Sequence, residues 1–267
     1  MRPVPLWADA RLRACLLSAV AALSLAACGG AGGSVTPVSQ APAPVAPAPT
    51  PTPAPSPNFD TAEYRRSTAA ATSTAITAWQ ANATGRGITL GFVDSGIDTG
   101  SAEFAGRISG QSRDVSGQGR TVQDASGHGT AVAAVAAAAR NDSQIMGVAF
   151  ESTIASFRAD NGQCADGCNY ADSSIASGVD AAANAGARAI NISLGGSAAN
   201  SMLRNALARA SAQGAVIVLS AGNDGAASPD PLPLGALDAA GPASVIIVGS
   251  VNAGGTISGF SNRAGSA

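Results

Sequence analysis

Ile88-Thr89-Leu90-Gly91-Phe92-Val93-Asp94-Ser95-Gly96 is an apolar run of strand length that ends in a carboxylate and a turn. It reads as a strand covered on both faces, the signature of a parallel sheet. Further runs of this kind fall at 153–157, 188–193, 215–220 and 244–251, and helical patterns separate them at 128–140, 173–185 and 200–213. Strands apolar on both faces that alternate with helices imply an α/β fold, doubly wound, with a mostly parallel sheet and helices on both sides. Upstream, a helix is expected from residue 60, carrying Tyr64, Ile76 and Trp79 and stopping near Gly85-Arg86-Gly87.

Asp94 stands at the C-terminal end of the first of these strands, where open parallel sheets place their functional groups. Asp-Ser-Gly is also good turn chemistry, so taken alone Asp94 reads equally as a carboxylate closing a strand. Asp98, just beyond, reads as a turn or surface carboxylate. The chain's single histidine, His128, sits in Gly127-His128-Gly129-Thr130 at an expected helix start. The helix dipole there disfavours a protonated imidazole, and an aspartate on Nδ1 would restore its basicity and fix its tautomer. A strand-borne aspartate followed by such a histidine supplies two members of a Ser-His-Asp hydrolase triad, in the order Asp, His, Ser.

Composition narrows the partners. All basic side chains are arginines, and the formal net charge of −2 offers nothing to a polyanion, so no nucleic acid is expected. Residues 1–27 place Arg2, Arg11 and Arg13 ahead of an apolar run from 14 to 27, which suits a signal peptide and is too short to span a bilayer. The segment ends in Leu25-Ala26-Ala27-Cys28, which resembles a bacterial lipobox and implies lipid attachment at Cys28; an ordinary Ala-x-Ala cleavage site is the alternative. Residues 28–58 are Gly-rich and then Pro/Ala-rich, the composition of an extended tether that at roughly 3.1 Å per residue reaches on the order of 90 Å. In an exported protein the close pair Cys164 and Cys168 reads as a loop-pinning disulfide. A metal site there would need more ligands than the sequence offers.

Asp94-Ser95-Gly96, Gly127-His128-Gly129-Thr130, Asn191-Ile192-Ser193-Leu194-Gly195-Gly196 and Ser220-Ala221-Gly222-Asn223 together resemble, in order, the signature blocks of subtilisin-like serine proteases. The resemblance runs from about residue 86 to the end and makes 59–267 the N-terminal part of a subtilase catalytic domain. It implies that Asp94 and His128 are catalytic. It further implies that Ser193, Leu194 and Gly195 form an edge that pairs with an extended polypeptide substrate, and that Asn223 supplies the oxyanion hole. On the residues alone, the alternatives are that 193–195 is a strand end turning through two glycines and that Asn223 is a turn residue beside Gly222 and Gly225. The lipobox, the tether and the cysteine pair resemble subtilases of the autotransporter type, which implies export to the outer membrane or cell surface of a Gram-negative bacterium, with the N-terminal lipid holding the chain to the membrane. No cofactor is expected; calcium sites are common among such relatives, but the motifs assign no ligands.

The chain departs from the family pattern in its nucleophile. Gly-Thr-Ser-x-Ala occurs nowhere in the 267 residues, and none of Ser220, Ser228 and Ser261 lies in an expected strand-to-helix elbow. The sequence therefore reads as a subtilase truncated before its catalytic serine, inactive as it stands. The alternative reading is a pseudoenzyme that at most binds extended peptides. A cysteine hydrolase using Cys164 is disfavoured, because a disulfide partner would remove the thiolate. The His-Pro pair often found after the aspartate block is absent at Ser101-Ala102-Glu103-Phe104, and the span between tether and first strand is too short for a separate prodomain.

Overall fold

The computed structural model describes residues 57–265, except 163, 165 and 166. The expected signal segment, Cys28 and nearly all of the tether lie outside the described residues. The elements run α1 (Ala62–Arg66), α2 (Thr68–Thr72), α3 (Ala75–Gln80), β1 (Thr89–Asp94), β2 (Arg113–Asp114), α4 (His128–Ala137), β3 (Thr153–Arg158), α5 (Asp172–Asn184), β4 (Ala187–Ile192), α6 (Ser201–Ala212), β5 (Val216–Ser220), α7 (Pro231–Ala240) and β6 (Val245–Val248). The six strands form one sheet in the order β2-β3-β1-β4-β5-β6, and every pairing is parallel. The fold is doubly wound α/β.

Successive side chains on a strand point to opposite faces, and the core divides accordingly. Val93 of β1, Phe157 of β3, Ile190 of β4 and Ile217 of β5 are buried in one cluster with Val179 of α5 and Leu203 and Leu207 of α6. Phe92 and Ile154, their neighbours in sequence, are buried in a second cluster with Ala133 and Ala137 of α4. Helices therefore cover both faces at β1 and β3. From β1 the chain passes to β2 and β3 on one side and then crosses to β4 on the other. The order reverses between β1 and β4, and a crevice opens at their C-terminal ends.

The expected N-terminal helix is broken into three short ones. Ser67 separates α1 from α2: its hydroxyl donates to the Glu63 carbonyl and accepts the Met146 N–H, competing with the helical backbone pattern. Thr74, in the left-handed region at φ 53°, separates α2 from α3. The segment stays ordered through packing: Trp79 is buried against Phe59, Tyr64 and Phe150, and its Nε1 donates to the Val148 carbonyl at 2.7 Å. The unexpected α7 begins at Pro231, a position where a missing N–H costs the helix nothing.

Candidate active site

Asp94 ends β1 and is fully buried. Its Oδ1 lies 2.7 Å from His128 Nδ1, accepts the Ser95 N–H at 2.7 Å and is 3.4 Å from the Tyr170 hydroxyl. The buried Oδ2 has no partner among the described residues. His128 is the first residue of α4 and is about half exposed, its side chain at 49% against 0% for Asp94. The hydrogen bond to Asp94 raises the imidazole pKa above its ordinary value; burial opposes this, and the charges of Asp94 and Asp124 add to it. The helix start can approach the strand end this closely because residue 129 is glycine. A Cβ there would fall 2.3 Å from the Gly96 carbonyl oxygen.

A carboxylate that sequence reasoning did not single out builds this approach. Asp124 Oδ1 accepts the Ser126 and Gly127 N–H groups and the Ser95 hydroxyl, while Oδ2 accepts both the N–H and the hydroxyl of Thr130. It therefore caps the N-terminus of α4 and ties it to the turn after β1. Ser95 Oγ in turn accepts the Gly129 N–H, and Thr130 Oγ1 accepts the Asp98 N–H. Burial alone would raise the Asp124 carboxyl, but these hydrogen bonds hold it below its ordinary value. An aspartate shortly before an expected helix start was the available signal. Asp98 itself closes a turn on the Gly100 N–H.

Tyr170 reaches Asp94 from the loop after β3. Cys164 and Cys168 are joined by a disulfide in that loop, and Asp160 pairs with Tyr170 at its base. Asp160 is buried; although burial opposes it, the guanidiniums of Arg158 and Arg120 keep its carboxyl below its ordinary value. Burial and the charges of Asp94 and Asp160 push the Tyr170 phenol well above its ordinary value, so it stays protonated beside Asp94.

The other expected residues gather at neighbouring strand ends. Ser193, Leu194 and Gly195 follow β4, with Leu194 buried and Gly195 exposed. Asn223, exposed, follows β5. His128, Ser193, Gly195 and Asn223 line one cavity of about 690 Å³. A smaller cavity of about 300 Å³ lies between His128, Cys168, Tyr170 and Leu194. No serine hydroxyl among the described residues is hydrogen-bonded to His128. Ser220 lines the larger cavity but donates to the Leu194 carbonyl, and Ser261 is buried against Ser250 and Asn262.

Fold and site thus define an α/β protein with a buried Asp–His pair at the topological switch point of its sheet. The subtilase family model matches residues 85–267. Thermitase from Thermoactinomyces vulgaris is 35% identical over 150 residues, 55% of this chain and 52% of that protein. Subtilisin BL from Lederbergia lenta is 36% identical over 145 residues, 54% and 51% of the two chains. A solved protease structure from Pseudoalteromonas arctica PAMC 21717 superposes with a TM-score of 0.58 at 27% identity, covering 70% of this chain and 62% of that one. The chain belongs to the subtilase family, and it spans about half the length of the curated relatives it matches.

Proposed function

We propose that this chain carries the acid–base and peptide-binding part of a serine endopeptidase. The observation that carries the reading is the 2.7 Å contact of His128 Nδ1 with buried Asp94, at the edge of a cavity that Ser193, Gly195 and Asn223 also line. With Nδ1 held by Asp94, Nε2 is the nitrogen that takes a proton from an attacking hydroxyl and returns it to the leaving amine. Asn223, with no hydrogen bond among the described residues, donates to the oxyanion; removing such a donor costs about 2.7–4 kcal/mol, a magnitude known from subtilisin. Ser193 to Gly195 pair with the extended substrate backbone. The hydroxyl served by His128 is assigned to no serine within the 267 residues. The similarity to thermitase and subtilisin BL supports polypeptide as the substrate.

The same reading places the protein outside the cytoplasm of a Gram-negative bacterium, held by lipid on Cys28 and set off from the membrane by residues 28–58. The apolar run before Leu25-Ala26-Ala27-Cys28 and the proline-rich composition after it support this. The test is to express the whole gene in its own type of host and treat the cells with a fluorophosphonate probe. Labelling that is lost in His128→Ala supports the endopeptidase. An unlabelled product supports the pseudoenzyme instead.

A further inference from the structure

The cavity beside His128 has a charged wall. Asp230, the residue before α7, points its carboxylate between the segment after β4 and the segment after β5. Its Oδ2 accepts the Gly196 N–H at 3.1 Å, and its Oδ1 accepts Nδ2 of buried Asn262 at 2.7 Å. The carboxylate fits there because both neighbouring residues lack side chains. A Cβ on Gly195 would lie 2.6 Å from Oδ2, and one on Gly222 2.4 Å from Oδ1. Both hydrogen-bond donors are neutral, and no arginine forms an ion pair with Asp230 among the described residues. A second carboxylate, Asp224, lies exposed on the same cavity wall, also without an ion pair, and no basic side chain other than His128 lines the cavity. Both negative charges therefore remain uncompensated in a concave site whose walls concentrate their field.

On the peptide-cleft reading, an extended peptide that pairs with Ser193 to Gly195 and presents a carbonyl to Asn223 and His128 would place the side chain on the acyl side of that carbonyl in this cavity, which Ser193, Gly195, Asn223 and His128 line. We infer that the cavity selects a cationic side chain, arginine or lysine, at that position, with Asp230 as the specificity-determining residue and Asp224 reinforcing it at longer range. This rests on the peptide-cleft reading above and adds its substrate class. Arginine suits the site better than a neutral side chain of the same shape, because a guanidinium brings planar donors and charge to a carboxylate that retains free acceptor positions.

The test uses the full chain and three short peptides, acetyl-trialanyl amides that end in arginine, in the neutral isostere citrulline, or in norleucine. Binding is followed by NMR on the imidazole of His128, which needs no assignment because the chain has one histidine. The arginine peptide is expected to bind about 10- to 100-fold tighter than the citrulline peptide, the range for a hydrogen bond to a charged group. The advantage shrinks as salt is raised. In Asp230→Asn the arginine advantage is expected to vanish while citrulline binding persists. Asp224→Asn, at an exposed side chain, lowers the advantage less and keeps the inference testable if Asp230→Asn does not fold. Equal affinities for arginine and citrulline overturn the charge selectivity and leave the cleft standing. If no peptide moves the His128 signal, the cleft reading falls and the inference falls with it.

Discussion

His128 is expected to hold its proton more tightly than a free imidazole, because the buried Asp94 carboxylate lies in hydrogen-bond contact with it at 2.7 Å. Its titration midpoint is therefore expected above the ordinary value of 6.5, and replacing the partner by Asp94→Asn is expected to bring it down. The single imidazole resonance of the chain reads both midpoints directly, and an unchanged midpoint in the variant would show the contact to be absent in solution. The stability consequence has a definite sign. A raised folded value means that the charged imidazole contributes its full stabilisation below about 6.5, and that the contribution fades as the pH rises through the folded midpoint. A denaturation series from pH 5 to 9 checks this, since His128→Gln removes that part of the slope. Asp124 acts on the same ring at one remove. Asp124→Ala is expected to cost about 1–2 kcal/mol through loss of the α4 cap and to lower the His128 midpoint, because its charge adds to that of Asp94. Asp124→Asn, which keeps one accepting oxygen, should recover part of the stability and less of the midpoint. Asp94 and His128 were legible in sequence because their settings are local, a strand end and a helix start. Tyr170 and Asp230 were not, because each matters through a partner at least 32 residues away in the chain, whereas Asp124 was missed although its cap on α4 is local.

At the scale of the element, α1 to α3 are each too short to hold together on their own helical propensity. Their order comes from Trp79, which is 1% exposed and meets three aromatic rings. Trp79→Ala is therefore expected to cost about 3–5 kcal/mol and to release the segment before β1. Limited proteolysis should then cut within 62–80 while β1 and the strands beyond stay protected. Cleavage at an unchanged rate would mean that something else holds the segment. The same element shows where sequence periodicity stops informing. The spacing of Tyr64, Ile76 and Trp79 is compatible with one amphipathic helix, and only the long-range bond from Met146 to Ser67 reveals the break. The helix α7 was missed for the opposite reason. Proline breaks a helix in its interior but not in its first turn, which is where α7 carries Pro231 and Pro233. The strands 88–93, 153–157, 188–193 and 215–220 came through to within two residues, because burial on both faces writes itself into composition more strongly than any cap or turn does.

For the whole molecule, the distribution of apolar surface is uneven. One face of the sheet is covered by α5, α6 and α7 from β1 across to β6, and Val245 and Ile247 pack into that core. On the opposite face, the core among the described residues joins α4 to β1 and β3. Beyond it, Val218 of β5 lines an apolar cavity of about 370 Å³ with Leu90, Phe92 and Val135, and the outward residues of the edge strand β6, Ile246 and Val248, are 52% and 47% exposed. Val251, Ile257 and Phe260 are also about half exposed. The sheet thus exposes apolar side chains and, among the described residues, leaves the outer edge of β6 unpaired. The 267-residue chain in isolation is therefore expected to bind an environment-sensitive apolar dye in the native state and to self-associate with rising concentration. Ile246→Lys with Val248→Glu removes two of the exposed side chains without touching the packed face, since residues 245 and 247 point the other way. The double variant should lower both dye binding and association, read by fluorescence and sedimentation, while leaving the His128 titration unchanged. A wild-type chain that stays monomeric and dark would mean that this face is covered in solution, and the comparison between the two chains locates the cover at β6 or excludes it there.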